Sequence, residues 1–200
     1  MSAWWLNAAG HRAGRGVIMR CPNDQSIMLT RAGHSSEAFM PSHRSELRKA
    51  LQLPWDSLEK SARTYFRASP LERVQIIKAR VPAKYVVTLT SSMKMTKEAL
   101  YGSLNLARAT IDRKVLKREL LNQDESERVL AITRLVGQVD NIVRESGNPE
   151  GFSAAEWVAS WLQRRHPALG GRSPGELMDT ADGRELISDL LARLQSGAYM

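Results

Sequence analysis

A single cysteine, Cys21, is the whole thiol complement of this 200-residue chain, so no internal disulfide can staple it. The four histidines, His11, His34, His43 and His166, are scattered, and no Cys/His group has zinc-ligand spacing. No run of 18 apolar residues occurs, which excludes a membrane-spanning helix. The N-terminal Trp4-Trp5-Leu6 breaks at once into Asn, Gly, His and Arg. It therefore lacks the apolar core of a signal peptide, and the expected location is the cytoplasm. Also missing are G-x-S-x-G, a P-loop, H-E-x-x-H and C-x-x-C, the spacings that put a nucleophile beside a base or two ligands on one metal. Asp179, Asp182 and Asp189 cluster in sequence, but Asp182 reads as first-turn charge on a helix, and Asp179 to Gly183 holds too few carboxylates for calcium. No catalytic residue, metal site or cofactor is expected.

What is present is positive charge, unevenly spread. The formal net charge is +8. Residues 1–68 carry ten basic against five acidic side chains, residues 69–145 fourteen against nine, and residues 146–200 five against seven. A basic middle followed by a slightly acidic end implies two surfaces with different partners, one of them anionic.

Along the chain three regions separate. Residues 1–43 keep no sustained period and are punctuated by Gly10, Gly14, Gly16, Pro22, Gly33 and Pro41, with internal starts available at Met19, Met28 and Met40. They read as a flexible extension without an identifiable function, a basic arm on nucleic acid being one use of such a segment. From Ser45 the pattern turns helical, with Leu47, Leu51 and Leu58 at roughly helical spacing around a break near Pro54. Ser69-Pro70-Leu71-Glu72 is a capping-box start, after which Leu71, Val74, Ile76 and Ile77 form an apolar face. A further helix is expected to begin at Pro82 with Val86, Val87 and Leu89 inward, although Val86-Val87-Thr88 is also good strand material. The region 44–146 is thus helical, and so is 147–200, with the boundary at Ser146-Gly147-Asn148-Pro149. The fold class is all-α.

In the basic middle, Leu100, Leu104, Leu106 and Ile111 need two short helices joined by a tight turn, placing a helix-turn-helix near 96–118. Thr96 caps the first helix, Asn105 falls where a left-handed residue is required, Leu106 plugs the corner, and Arg108 to about Arg118 makes the second. Ile111 and Val115 then face inward, leaving Arg108, Thr110, Arg113, Lys114 and Lys117 outward as DNA-binding candidates. Such groups donate to guanine edges or neutralise phosphates. Within 108–118 five basic residues face only Asp112. The next helix, from Gln123 to about Arg144 with an Asn122/Glu125 capping box, carries too many apolar residues for one narrow seam; it is expected to pack on the DNA-binding half on one side and on a second copy or the C-terminal domain on the other.

The last fifty residues hold a helix bearing Trp157, Trp161 and Leu162, closed by His166-Pro167-Ala168-Leu169. Gly170-Gly171-Arg172 follows, then Ser173-Pro174 with Glu176 as a further capping box. Thr180 caps a last helix with Leu186, Ile187, Leu190, Leu191 and Leu194 at helical spacing, ending before Gly197 and the tail Ala198-Tyr199-Met200. From Asn148 to Met200 this ordered series resembles the toxin-binding C-terminal domain of the Xre/ParS/MbcA-type antitoxins. The middle is similar to that family's Xre-like helix-turn-helix, through Thr96-Lys97-Glu98-Ala99-Leu100, Ala107-Arg108-Ala109-Thr110-Ile111 and Leu121-Asn122-Gln123-Asp124-Glu125-Ser126-Glu127-Arg128. Tyr101, Asn105 and Ala107 depart from the pattern, where a small residue, a turn glycine and a serine cap are usual; they weigh against strong DNA affinity more than against the fold.

The resemblance implies an antitoxin that neutralises a RES-domain toxin, which consumes NAD or uses it to modify a target. It also implies operator binding with autorepression, and a homodimer within a larger complex. It places toxin binding on Trp157, Trp161, Arg172, Ser173, Arg193, Tyr199 and Met200, with the aromatic tail at the toxin's active-site cleft. The alternative of another class is a helix-turn-helix regulator without a toxin partner, and a toxin gene beside this one would separate the two.

Overall fold

The computed structural model describes residues 53–147 and 150–195. The extension 1–43, the Leu47–Leu51 periodicity, the Asn148-Pro149 break and the Tyr199-Met200 tail lie outside them. The elements run α1 (Leu58–Arg67), α2 (Pro70–Ala79), α3 (Tyr85–Met93), α4 (Lys97–Ser103), α5 (Arg108–Leu116), α6 (Gln123–Glu145) and α7 (Ala154–Gln163). Two 3-10 turns, Pro167–Leu169 and Pro174–Leu177, lead into α8 (Ala181–Gln195). Among the described residues no strand forms, and the single extended pairing is an isolated antiparallel bridge between Pro82 and Leu120. The all-α expectation holds.

Helix starts obey the capping chemistry. Ser57, Ser69, Thr96, Asn122 and Ser153 each accept a backbone N–H three residues on, and Glu72 and Glu125 return the bond to complete capping boxes. The helix expected from Pro82 begins instead at Tyr85. Val81 and Ala83 are held in the bridge by Leu121 N–H to the Val81 carbonyl (2.8 Å) and Ala83 N–H to the Glu119 carbonyl (3.0 Å), and Val81 N–H donates to Ser126 Oγ. The bridge takes the groups that an earlier helical turn would need.

The long helix α6 is the axis of the core, buried along Val129, Leu130, Ile132, Leu135, Val136 and Val139. Helix α1 packs along it, and α2, α7 and α8 contact it as well. The two-sided burial inferred from its apolar excess is therefore met within the chain. Helix α1 crosses α6 so closely at Gly137 that a Cβ there would lie 2.3 Å from the Ala62 carbonyl oxygen. Arg63 Nε donates to Asp140 Oδ2 at 2.8 Å beside the crossing. Gly137→Ala is expected to lower stability by about 1–3 kcal/mol through overpacking, outweighing the roughly 1 kcal/mol that alanine gains over glycine in a helix. An unchanged urea midpoint for that variant would contradict so tight a crossing.

One sequence-read face is only half used. In α2, Ile76 is buried but Leu71 is 68% exposed and Val74 45%, so the apolar stripe expected on that helix does not all enter the core. Leu186 on α8 is likewise exposed, whereas Ile187, Leu190 and Leu191 are buried.

Candidate functional site

Two surfaces hold the sequence-selected residues. The first is the α4–α5 hairpin. Just beyond α4 Asn105 takes φ +49, and Leu106 N–H returns to the Tyr101 carbonyl at 2.9 Å. That left-handed closure leaves Leu106 buried in the corner. The Arg128 guanidinium, reaching over from α6, donates to the carbonyls of Leu104 (3.2 Å) and Asn105 (2.8 Å), so the carbonyls of the turn after α4 are satisfied without a turn glycine. Tyr101 is buried and its hydroxyl donates to Asp112 Oδ1 at 3.1 Å, bridging α4 to α5. Burial, then the bond to Asp112, pushes this phenol up to about 12. Burial alone would raise the Asp112 carboxyl, but the Tyr101 hydroxyl, Lys97 and Arg108 outweigh it and hold the group below its ordinary range. The bulky Tyr101 is thus accommodated as a cross-brace.

The outer face of α5 is less free than its composition suggests. Arg108 meets Glu98 at 2.7 Å and Asp112 at 3.7 Å, while Arg113 meets Glu119 at 3.5 Å. These pairs are exposed, each worth about 0–1 kcal/mol, and a phosphate can displace them. Lys114 is different: its ammonium is largely buried against Glu125, the same carboxylate that caps α6. It braces α5 on α6 rather than offering charge outward. Thr110 is half-buried, and Lys117 is exposed with no ion pair among the described residues. Helix α5 stops at Leu116, because Arg118 turns left-handed at φ +54 and Glu119 N–H closes on the Lys114 carbonyl at 2.9 Å. Ala107 gives the start of α5 no side-chain cap, so its first N–H groups are open to an anion.

The second surface is built on α7. Trp157 and Trp161 stack at 5.8 Å between centroids, 15° from parallel, as i, i+4 spacing directs. Trp161 is 7% exposed and Trp157 37%. The inner ring is therefore a floor and the outer ring the face presented to solvent. Phe152, which sequence reading passed over, is also exposed. It precedes the Ser153 cap and stands at the staple position opposite Trp157, a signal available in the spacing Phe152-Ser153-x-x-x-Trp157. Lys94 pairs with Glu156 at 2.9 Å, tying the end of α3 to the start of α7.

After α7 the chain makes a closed loop. His166 N–H donates to the Arg172 carbonyl at 2.9 Å, with Gly170 and Gly171 at φ +63 and +79 inside it. Left-handed backbone at two successive residues is what the Gly-Gly pair supplies. Arg172 is exposed at the mouth of this loop. Ser173 N–H and Oγ both donate to Glu176 Oε1, at 3.2 and 2.8 Å, which holds that carboxyl below its ordinary range. The expected Ser173/Glu176 capping box is present, and Glu176 N–H also goes to the Ser173 carbonyl, so the segment it opens is a 3-10 turn rather than an α-helix. The turn lies against α7 and α4: a Cβ on Gly175 would stand 2.8 Å from the Leu162 carbonyl oxygen and 3.1 Å from Ser103 Oγ. Thr180 Oγ1 accepts from Gly183 N–H at 3.1 Å and starts α8 as expected. Gln138 and Ser188 join α8 to α6 by two hydrogen bonds of 2.9 and 3.0 Å. Arg193 is exposed on the last turns of α8, and Tyr199 and Met200 lie outside the described residues. Among the described residues no group of His, Cys, Asp or Glu is placed to hold a metal, and no helix is long and apolar enough to cross a membrane.

Residues 72–134 match the family described as the antitoxin Xre-like helix-turn-helix domain, and residues 150–197 match the antitoxin Xre/MbcA/ParS C-terminal toxin-binding domain. The chain is 40% identical over 134 residues to a protein of Sphingobium sp. (strain YBL2) named Prs ADP-ribosylating antitoxin. That stretch covers 67% of this chain and 84% of the relative.

Proposed function

The chain belongs to the Xre/MbcA/ParS antitoxins, an Xre-like helix-turn-helix followed by a toxin-binding domain, and from that premise we propose that its partner is a RES-domain toxin using NAD as ADP-ribose donor. The observation that carries this reading is the 40% identity to an antitoxin whose name refers to ADP-ribosylation. On this reading residues 147–200 neutralise the toxin in the cytoplasm, and residues 44–146 bind operator DNA as part of a homodimer and repress the operon. Exposed Trp157, Arg172 and Arg193 are contact residues; Ser173 shapes the turn that presents Arg172, and Trp161 acts through Trp157.

The tail carries the inhibitory step in this proposal. An aromatic anchor such as Tyr199 buries a large area at modest entropy cost, and with Met200 it suits a concave cleft. Deleting Ala198 to Met200 is expected to leave the fold and complex formation intact while weakening inhibition of NAD turnover by the partner toxin. An inhibition constant unchanged by the deletion would assign inhibition to the domain body instead.

For DNA, the half-neutralised face of α5 predicts moderate rather than tight binding. Arg113→Ala is expected to cost about 1–3 kcal/mol on the cognate site if the side chain reads a base, or to weaken all sequences alike with a shallower salt slope if it meets phosphate. Lys114→Ala should instead lower stability, since it removes a largely buried partner of Glu125. Mobility shifts on the DNA upstream of the gene measure this. Absence of any shift at low salt, with or without the toxin, would remove DNA binding from the account.

A further inference from the structure

Between α1, α2, α6 and the first half of α8 lies a cleft of about 470 Å³, within the size range of small-molecule sites. Arg73 from α2 and Arg134 from α6 line it together with Tyr65 from α1. Among the described residues neither guanidinium makes an ion pair or hydrogen bond, although most arginines of the surrounding helices are engaged. Arg184, in the same cleft, is held by Glu127 at 3.3 Å and by the carbonyls of Met178 and Asp179. Burial first, then the nearby Arg134, makes Arg73 a weaker base than an ordinary arginine. Burial likewise raises the Tyr65 phenol to about 12, so it remains a donor at neutral pH. Two like charges beside one cavity repel each other until an anion sits between them.

We propose that this cleft binds a phosphate group, free or carried on a small molecule, with Arg73 and Arg134 clamping its oxygens and Tyr65 donating to it. Phosphate fits better than carboxylate, because a group of charge near −2 matches two guanidiniums and offers oxygens to both. Glu185 and Asp189 line the α8 wall of the same cleft. They repel an extended polyanion such as a nucleic-acid strand and leave a compact group as the fitting ligand. The site joins α2 and α6 to α8, so occupancy would tighten the toxin-binding half on the rest of the chain. It is independent of the identity of the toxin.

The test is thermal unfolding and titration calorimetry of the full chain with inorganic phosphate and with adenosine monophosphate, ionic strength being held constant with chloride. The wild type is expected to gain stability with phosphate, by the linkage of binding to folding. Arg73→Gln and Arg134→Gln are each expected to weaken binding about tenfold or more, while their ligand-free midpoints stay equal or rise because the repulsion is relieved. A stronger response to adenosine monophosphate than to inorganic phosphate would identify an esterified ligand, and the reverse the free ion. No response to either, or equal affinity in wild type and both variants, would overturn the proposal. Loss of neutralisation by Arg134→Gln in a protein whose wild type binds no phosphate would do the same, assigning the pair to the toxin interface.

Discussion

A chain ended after Glu145 is expected to lose all neutralisation of its toxin while still shifting operator DNA. The truncation removes α7, both 3-10 turns and α8, and with them Trp157, the Arg172 loop and everything beyond. The hairpin keeps its own core, since Leu100, Leu104, Leu106, Ile111, Leu121, Val129 and Leu130 are buried ahead of the cut. Helix α6 keeps α1 against it, with Asp140 still bonded to Arg63. The cost falls on the faces of α3, α4 and α6 that met α7, the second 3-10 turn and α8, so a lower melting temperature is expected beside retained DNA binding. Growth rescue of toxin-expressing cells is the readout for the first half, and mobility shift for the second. Rescue by the truncated chain would mean that toxin recognition lies in the wrong half of this account.

The stacked tryptophans should separate stability from recognition. Trp161→Ala removes a ring that is 7% exposed, and the resulting cavity is expected to destabilise the chain by about 3–5 kcal/mol. Trp157→Ala removes the outer ring and forfeits about 0.5–1.5 kcal/mol of aromatic pairing. At a central interface position, however, the same change is expected to cost roughly 2 kcal/mol or more in toxin affinity. Denaturant unfolding paired with calorimetric binding distinguishes the two. Equal binding losses at matched folded fractions, or a Trp157 variant that binds normally, would contradict the division between floor and face.

Much of this was legible in the residues themselves. Caps are local, so Ser69/Glu72, Thr96, Asn122/Glu125 and Thr180 announced their helices, and Asn105 took the left-handed turn assigned to it. Failures came where a distant group decided. Pro82 reads as a helix start until Leu120 pairs with it from 38 positions later. Lys114 reads as an outward charge, because nothing in a helical period reveals that Glu125, at the start of the next helix, will bury it. Arg128 stood in a recognisable stretch, yet its work on the Leu104 and Asn105 carbonyls depends on the crossing of α6 past the turn. The pairing of Arg73 with Arg134 in one cleft is likewise invisible in sequence, since what marks them is that neither guanidinium has a counter-ion among the described residues.

The most direct test is NAD turnover by the purified product of the gene beside this one, titrated with the full-length chain and with the chain ended after Glu145. The account predicts that the toxin consumes NAD, that the full chain suppresses this at stoichiometric amounts, and that the truncated chain leaves it untouched. A neighbouring gene product that does not turn over NAD, or turnover suppressed equally by both chains, would contradict it.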